Sequence, residues 1–401
     1  MKVLIVGAGL AGLTAAAILG SRGHEVVIVE RAARLRADGH AVDLWGSAVA
    51  VLDALGLGPG LRSAATRAET ARTRLGRWTV TARLADYAAG VADAHVEVMR
   101  GDLVELLWAA AAPVSVLRLG ASVEALATAD ARVEARFAGG ARETFDLVVG
   151  ADGVHSSVRR LAFGDGFEQP LDYVVGGFST EGIGDASSLE RRLEVDATAW
   201  SFPIAGRDRR GYGILARLDG AGTPSDLTAE LWRAQRRLCW PDAALLDEGV
   251  SSADFYVDRV SQVSLPLWRT GRIVVVGDAA WSPGMALGGG ASLAVAGAAL
   301  LAREVDDGVA IAASLDRWEQ ALRPIGAASA GVAGPMGRAL VPSSLLHAGL
   351  TMAALSLFEG LPRMVRRRVR LLPPAARRGL DAIARIPLAL PARPARQDWS
   401  S

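Results

Sequence analysis

The feature that most constrains this chain is a set of glycines between an apolar strand and a helix. Val3 to Val6 is a short apolar run, Gly7, Gly9 and Gly12 follow as G-x-G-x-x-G, and the pattern predicts a helix from about Leu10 to Ser21. Val26 to Val29 is a second apolar run, so the segment reads as β-α-β with a parallel pair. The first glycine permits the tight turn and the second lets a pyrophosphate approach the backbone. The third lets helix and strand pack closely, with the helix N-terminus facing the phosphates. Leu10 and Ala11 lie inside this fingerprint. Glu30 ends the second strand eighteen residues past Gly12, where a carboxylate can accept hydrogen bonds from ribose hydroxyls, and Arg31 follows it. An adenine dinucleotide is implied. The positive start and apolar run from Lys2 to Ala17 resemble a signal peptide in outline, but the glycine spacing argues for the nucleotide turn instead.

The fingerprint alone does not separate NAD from FAD, and two later motifs decide. Phe145 to Val149 reads as a buried strand emptying into Gly150-Ala-Asp152-Gly153-Val-His155-Ser156-Ser157-Val-Arg159. Ile273 to Val276 is another, ending in Gly277-Asp278-Ala-Ala, where the acid can hydrogen-bond polyol hydroxyls. Pro283 and the run Gly288-Gly289-Gly290-Ala291-Ser292 then lead into an alanine-rich helix to about Val305. Free N–H groups at such a helix start stabilise an anion, such as the N1 and C2 carbonyl region of a reduced flavin, by roughly 0.3–1 kcal/mol.

In this order and spacing the three motifs resemble the class A flavoprotein monooxygenases, the para-hydroxybenzoate hydroxylase-like family, near its tetracycline-modifying and aromatic hydroxylase branch. The resemblance covers roughly Met1 to Ala330. It implies FAD as cofactor, NADPH or NADH as transient reductant, O2 as co-substrate, and hydroxylation or epoxidation of a small aromatic or polycyclic metabolite. By the same resemblance Asp152 and Gly153 belong to a motif serving both FAD and the passing nicotinamide, and Gly277 and Asp278 to the one holding the ribityl chain. Arg100, in Val98-Met99-Arg100-Gly101-Asp102-Leu103, matches the arginine over the FAD, and Leu103 opens the following helix. Arg36 and Asp43 look like the arginine and acid loop near flavin and reductant, and His40 and Asp43 are candidate bases. Two positions depart from the family pattern: Trp281 stands where histidine or tyrosine is common after Gly-Asp-Ala-Ala, and Met285 where a second proline is common.

The chain is long for one core at 401 residues, and its pattern changes along its length. From Pro170 to about Pro266 alternating strands are predicted at Tyr173 to Ser179, Leu193 to Phe202 and Gly211 to Leu218, with a helix near Leu227 to Leu238. The fold expected is α/β, a Rossmann-type FAD-binding domain with an inserted antiparallel-sheet substrate domain and C-terminal helices. Residues 1–69, 96–168 and 267–334 are assigned to the FAD-binding domain, 70–95 and 169–266 to the substrate domain, and 335–401 to C-terminal helices and a loose tail. A substrate pocket is expected between flavin and sheet, lined from Trp45, Trp200, Phe202, Tyr212 and Met285; Trp200 and Phe202 share a strand face at spacing two.

Charge and cysteine usage narrow the partners. Lys+Arg 44 against Asp+Glu 43 leaves a formal charge of +1, with no global attraction to nucleic acid. Cys239 is the single cysteine, and the histidines lack metal-ligand spacing, so a reducing cytoplasmic compartment is expected. Val341 to Phe358 carries no charge and precedes Arg366, Arg367 and Arg368; it is the best membrane candidate, and is read in the first instance as a core helix beside a solvated basic cluster. Gly-x-Ser-x-Gly, Cys-x-x-Cys and Walker loops are absent from the sequence, as expected when the cofactor carries the chemistry. Two alternatives stay open: a flavin oxidase or reductase of the same fold without oxygen insertion, and a flavin- or ligand-binding protein without turnover. A halogenase is disfavoured, since Trp200-Ser-Phe-Pro-Ile replaces Trp-x-Trp-x-Ile-Pro.

Overall fold

The computed structural model describes residues 1–35, 40–66, 68–84, 94–129, 131–181, 187–204, 208–218, 224–240, 243–252, 254–284, 288–305, 310–330, 333–362, 366 and 374–388. Its centre is a six-stranded sheet in the order Arg269–Thr270, Ile273–Val275, Leu147–Gly150, Lys2–Val6, Glu25–Glu30, Val116–Leu119. All neighbours are parallel except the short antiparallel pair at Arg269–Thr270. The strands bearing the three glycine motifs are therefore adjacent, and the register Val6 to Gly150 to Val275 makes their C-terminal ends level. Val3, Leu4, Ile5, Leu147, Val148, Val149, Val274 and Val275 are wholly buried, which explains why these strands read as continuous apolar runs rather than alternating ones. The small residues Ala15, Ala16 and Ala17 let helix Leu10–Ser21, packed on this sheet, lie close against helices Arg100–Ala111 and Gly290–Glu304, and a three-stranded sheet of Val123–Ala129, Arg132–Phe137 and Arg142–Phe145 packs against strands Lys2–Val6 and Leu147–Gly150.

A seven-stranded sheet lies beside this core in the order Tyr256–Val263, Glu168–Glu181, Arg209–Arg217, Ala197–Pro203, Ser188–Glu194, Thr70–Leu75, Trp78–Arg83. It is antiparallel throughout except where Ser188–Glu194 meets Thr70–Leu75, a strand from far earlier in the chain. Helix Pro224–Leu238 covers one face through Leu227, Leu231 and Ala234. The stretch Leu193 to Phe202, expected as one strand, is two. They are joined by a tight turn in which Asp196 takes φ +60, a conformation that aspartate tolerates better than most residues. Alternation of polarity continues through that turn, so periodicity could not reveal it. Helix Ser47–Ala54 stops before Gly56, and Gly58-Pro59-Gly60 begins another at Gly58–Ala64, with proline in the first turn where its missing N–H costs nothing.

Two further elements were not foreseen. Ala41–Trp45 and His95–Met99 pair as an antiparallel ribbon, and Tyr256–Val263 forms an edge of the seven-stranded sheet. Among the described residues no helix is long and apolar enough to cross a membrane.

Arg159, 2% exposed, joins the two layers: its guanidinium donates to the carbonyls of Ala279 and Val154 and pairs with Glu168 at the start of the large sheet. Replacing Arg159 by Met leaves one oxygen of Glu168 and two carbonyls without this donor, His155 remaining on the other Glu168 oxygen. The expected loss is about 3–5 kcal/mol of unfolding free energy, read from the guanidinium-chloride midpoint at pH 7; an unchanged midpoint contradicts this role.

Candidate functional site at the strand ends

The first glycine turn is built by backbone meeting backbone. A Cβ on Gly7 would lie 2.4 Å from the Ala151 oxygen, and Gly7 takes φ +105, so no other residue fits. A Cβ on Gly12 would lie 2.0 Å from the Gly7 oxygen. Gly9 has nothing within 4 Å of that position, so its backbone faces open space, and it caps helix Leu10–Ser21 with no side-chain hydrogen bond. The shape is a cradle that a side chain would fill, under a helix start whose N–H groups face outward. Leu10 and Ala11 are buried beside it. Glu30 sits where expected, with Oε2 accepting from the Ala8 amide and Oε1 from the Ala32 amide, both at 3.0 Å. It thus holds the turn in place, and its remaining lone pairs are what a ribose could use. Arg31 is exposed.

The second and third motifs arrive from the neighbouring strands. Asp152 accepts from the Ser156 and Ser157 hydroxyls and from the Ser157 and Val158 amides, so its carboxylate is taken up in starting helix Ser157–Phe163. This is a local structural task that the motif spelling did not reveal. Gly153 follows at φ +80, open on its Cβ side. Gly277, at φ +63, lies so near Ala11 that a Cβ would sit 3.1 Å from the alanine methyl, which brings the first and third motifs into contact. Asp278 is exposed to the cleft yet surrounded by enough protein that desolvation raises its pKa, with the Arg100 charge opposing. Its Oδ1 lies 3.9 Å from where a Gly290 Cβ would be, so the acid stands beside the start of helix Gly290–Glu304, again uncapped by any side chain.

Loop 288–292 is stitched to the ribbon. The Ser292 hydroxyl donates to the Asp43 carbonyl and accepts from the Trp45 amide, both at 2.9 Å, while the Trp45 indole donates to the Gly288 carbonyl at 3.2 Å. Gly288 takes φ +66, Gly289 caps the helix, Ala291 is partly buried and Ser292 wholly buried; Pro283 is buried just upstream. Trp45 stacks on His95 with ring centroids 4.0 Å apart, and the Asp43 carboxylate bonds His95 Nε2 at 2.7 Å. Asp43 pairs across the ribbon with Glu97, whose carboxyl is pushed up by burial and by the Asp43 charge.

At the other end of the ribbon, His40 and Arg100 meet, the Arg100 amide donating to the His40 carbonyl at 3.1 Å. His40 Nδ1 shares a 3.1 Å hydrogen bond with the Tyr256 hydroxyl, which comes from the edge of the large sheet. Burial, helped by the Arg100 charge and opposed by Asp43, lowers the His40 pKa to about 4. Burial raises that of Tyr256, so both partners are neutral at pH 7. The Arg100 charge opposes protonation of His40 and favours the charged forms of Tyr256 and Asp278. Leu103, wholly buried one turn later, anchors the helix that carries it.

The face of the large sheet turned toward this cluster is paved by rings. Gly177, Gly213 and Gly211 leave room for the Tyr256, Trp200 and Phe202 rings respectively, each within 2.7 Å of where a Cβ would sit. Phe202 and Trp200 pack with Met99 and Ala41 of the ribbon. Tyr212 is a correction to the expected pocket. It pairs with Ser201, between Gly211 and Gly213, so strand alternation turns it to the opposite face. There it stacks on Phe178 at 5.3 Å under helix Pro224–Leu238. Trp281 likewise points away from the cleft, 3% exposed in a core of tryptophans with Trp268 at 4.5 Å and Trp318 at 5.9 Å. Arg36, Met285, Arg367 and Arg368 lie outside the described residues. Tyr256, His95 and Glu97 were missed. Tyr256-Val-Asp258-Arg259 has no alternation to mark a strand, and the ribbon partners are distant in sequence.

The low His40 pKa has a consequence for stability. Between pH about 4 and 6.5 the unfolded chain holds a proton at this position that the folded chain does not, so stability rises with pH across that window. The contribution is complete above pH 6.5 and lost as pH falls toward 4. His40→Gln is expected to flatten this part of the denaturation midpoint against pH profile; an identical slope in both proteins contradicts the buried, neutral imidazole.

These residues fit FAD: a side-chain-free cradle at Gly7 to Gly12, an acid at the third strand end, and a glycine loop opening a helix beside it. The family model described as FAD binding domain matches residues 1–176. A flavin-dependent monooxygenase of Legionella longbeachae serogroup 1 (strain NSW150) is 31% identical over 314 residues, 76% of this chain and 80% of that one. An uncharacterized protein of Mycobacterium tuberculosis (strain ATCC 25618 / H37Rv) is 34% identical over 317 residues, 76% of this chain and 85% of that one. The crystal structure of tetracycline destructase Tet(51) superposes with a TM-score of 0.75 at 24% identity, over 93% of this chain and 98% of that one. Klebsiella pneumoniae HpxO complexed with FAD and uric acid superposes with a TM-score of 0.77 at 19% identity, over 96% and 97%. The two structures show the shared fold, and the sequence relatives show the family: this chain belongs to the FAD-dependent monooxygenases.

Proposed function

We propose that this chain hydroxylates or epoxidises a small, flat, electron-rich aromatic or polycyclic metabolite, taking electrons from NADH or NADPH and oxygen from O2. The observation that carries this reading is the ring-lined face of the large sheet, where Tyr256 and Trp200 lie over glycines with Tyr256 bonded to His40; Phe202, 2% exposed and packed against Met99, backs these rings and does not face a ligand, a correction to the expected pocket. Flat aromatic walls favour flat aromatic ligands through offset and edge-to-face contacts worth about 0.5–1.5 kcal/mol each. The uric acid held by HpxO is a ligand of that shape.

FAD, when bound, supplies the redox and oxygen-transfer chemistry. The chain's own residues bind, orient and keep the site dry. Gly7, Gly9 and Gly12 would admit the pyrophosphate, Glu30 the ribose, Asp278 the ribityl hydroxyls and the Gly288 to Gly290 loop the pyrimidine edge of the ring. Arg100 supplies positive charge felt by Asp278 and Tyr256. His40, neutral at physiological pH, can hold a hydrogen bond to a bound phenol while the Tyr256 hydroxyl fixes its ring; with so low a pKa it is a poor acceptor of the phenol's proton.

The test mixes FAD-loaded protein with NADPH or NADH in air against a panel of flat aromatics. The expected result is faster flavin bleaching with a true substrate and a product carrying one oxygen atom from isotope-labelled dioxygen. Bleaching with only hydrogen peroxide formed assigns an oxidase; no bleaching with either nicotinamide and any ligand assigns a binding protein. Asp278→Ala is expected to weaken FAD retention on the order of tenfold, one charge-assisted hydrogen bond of about 1.4 kcal/mol, measured by flavin release on dilution. Trp200→Ala should raise KM several-fold while FAD content stays full; an unaltered KM removes the ring face from the substrate site.

A further inference from the structure

On the ribbon, Asp43 stands opposite Glu97 and Trp45 opposite His95, and strand alternation turns all four side chains to one face. Two of them meet the glycine loop. Asp43 Oδ2 lies 3.0 Å from where a Gly288 Cβ would be, and the Trp45 indole donates to the Gly288 carbonyl at 3.2 Å. His95 supports both. Its Nε2 bonds Asp43 Oδ1 at 2.7 Å, and its imidazole stacks on the indole with centroids 4.0 Å and planes 24° apart. A carboxylate only accepts, so Nε2 carries the hydrogen. With Oδ1 taken, Oδ2 is the oxygen left against Gly288.

Neighbouring contacts leave this task to His95. The Ser292 hydroxyl clasps the backbone of Asp43 and Trp45, which fixes the start of helix Gly290–Glu304 but neither side chain. Glu97, directly opposite, has its own donor in the Thr66 hydroxyl and offers the Asp43 side chain a like group rather than a partner. The His95 and Asp43 side chains are 29% and 33% exposed, so their contact adds little to folding stability and its weight falls on placement. We propose that His95 is a positioning residue for the flavin: by holding the Asp43 carboxylate and the Trp45 indole it sets the Gly288 to Gly290 loop, and its N–H offsets the Asp43 charge beside that loop. This role rests on FAD lying with its pyrimidine edge along the loop. A carboxylate stripped of its donor at that edge disfavours a ring system that gains negative charge on reduction.

The experiment measures FAD affinity by titration and the midpoint potential of the bound flavin by dye equilibration, in the full chain and in His95→Ala, His95→Gln and His95→Phe. His95→Ala is expected to weaken FAD binding several-fold and to move the potential to more negative values, while the melting temperature of the FAD-free chain stays unchanged. His95→Gln, whose amide can donate to Asp43, should restore most of the potential; His95→Phe, which keeps the stack on Trp45 alone, should leave it shifted. An unmoved potential in His95→Ala, or a potential restored by phenylalanine as fully as by glutamine, overturns the proposal. If His95→Ala does not fold, the glutamine and phenylalanine variants decide the same point, equal potentials counting against it. Asp278→Ala in the same titration separates two failures. FAD weakened there but unaltered in every His95 variant removes only the positioning role, whereas FAD unaltered throughout removes the cofactor placement beneath it as well.

Discussion

Everything at the strand ends depends on one steric fact: the backbone at Gly7 lies against the backbone at Ala151 with no room for a side chain between them. That contact lets the first two motif strands end level, and the register carries the third alongside. The long ligand that a flavin dinucleotide is needs these three ends within reach of one another. A single methyl at Gly7 would both clash and demand a φ that alanine resists. The turn is therefore specified by the absence of atoms, and the surrounding polar groups hold its shape. Glu30 ties its floor to the second strand, and Asp152 starts the helix after the neighbouring one.

The second level of organisation is the joining of two sheets. Arg159 connects the second motif, the third motif and the large sheet through one buried guanidinium, and His155 repeats the theme nearby with Glu168 and Asp258 on either side. Those acids raise the His155 pKa, the opposite of what burial does to His40, so the two histidines are shifted in opposite directions for different reasons. The Tyr256 to His40 hydrogen bond then closes the far side. The cleft is thus bounded by a rigid nucleotide core and by a sheet fixed to it at several polar points, an arrangement suited to holding a ring system in a defined pose.

Much of this was legible in the residues. Continuous apolar runs ending in glycine mark parallel strands buried on both faces, because such strands have no solvent side to alternate toward. The positions of Glu30, Asp278 and the Gly288 to Ser292 loop follow from being at strand ends. Other features were not legible, for identifiable reasons. Tyr212 is as aromatic as Phe202, and only pairing with Ser201 shows that it faces the other way. The spelling Asp152-Gly153 invites a ligand role and does not reveal that the same carboxylate starts the helix that follows it. The run Val341 to Phe358 looks like an ordinary core helix until the leucines of its outer side are found uncovered.

The sequence by itself determined where this chain bends, which strands are buried and that a dinucleotide with a flavin passes their ends. Those properties reside in local sterics and in periodicity, both written along the chain. Only the tertiary structure decided which side chains from distant segments share the cleft: Tyr256 with His40, Trp45 with Gly288, Trp200 with Met99. Pairing register and the face a strand turns inward are set by contacts between segments far apart in sequence, and no window of neighbouring residues contains them.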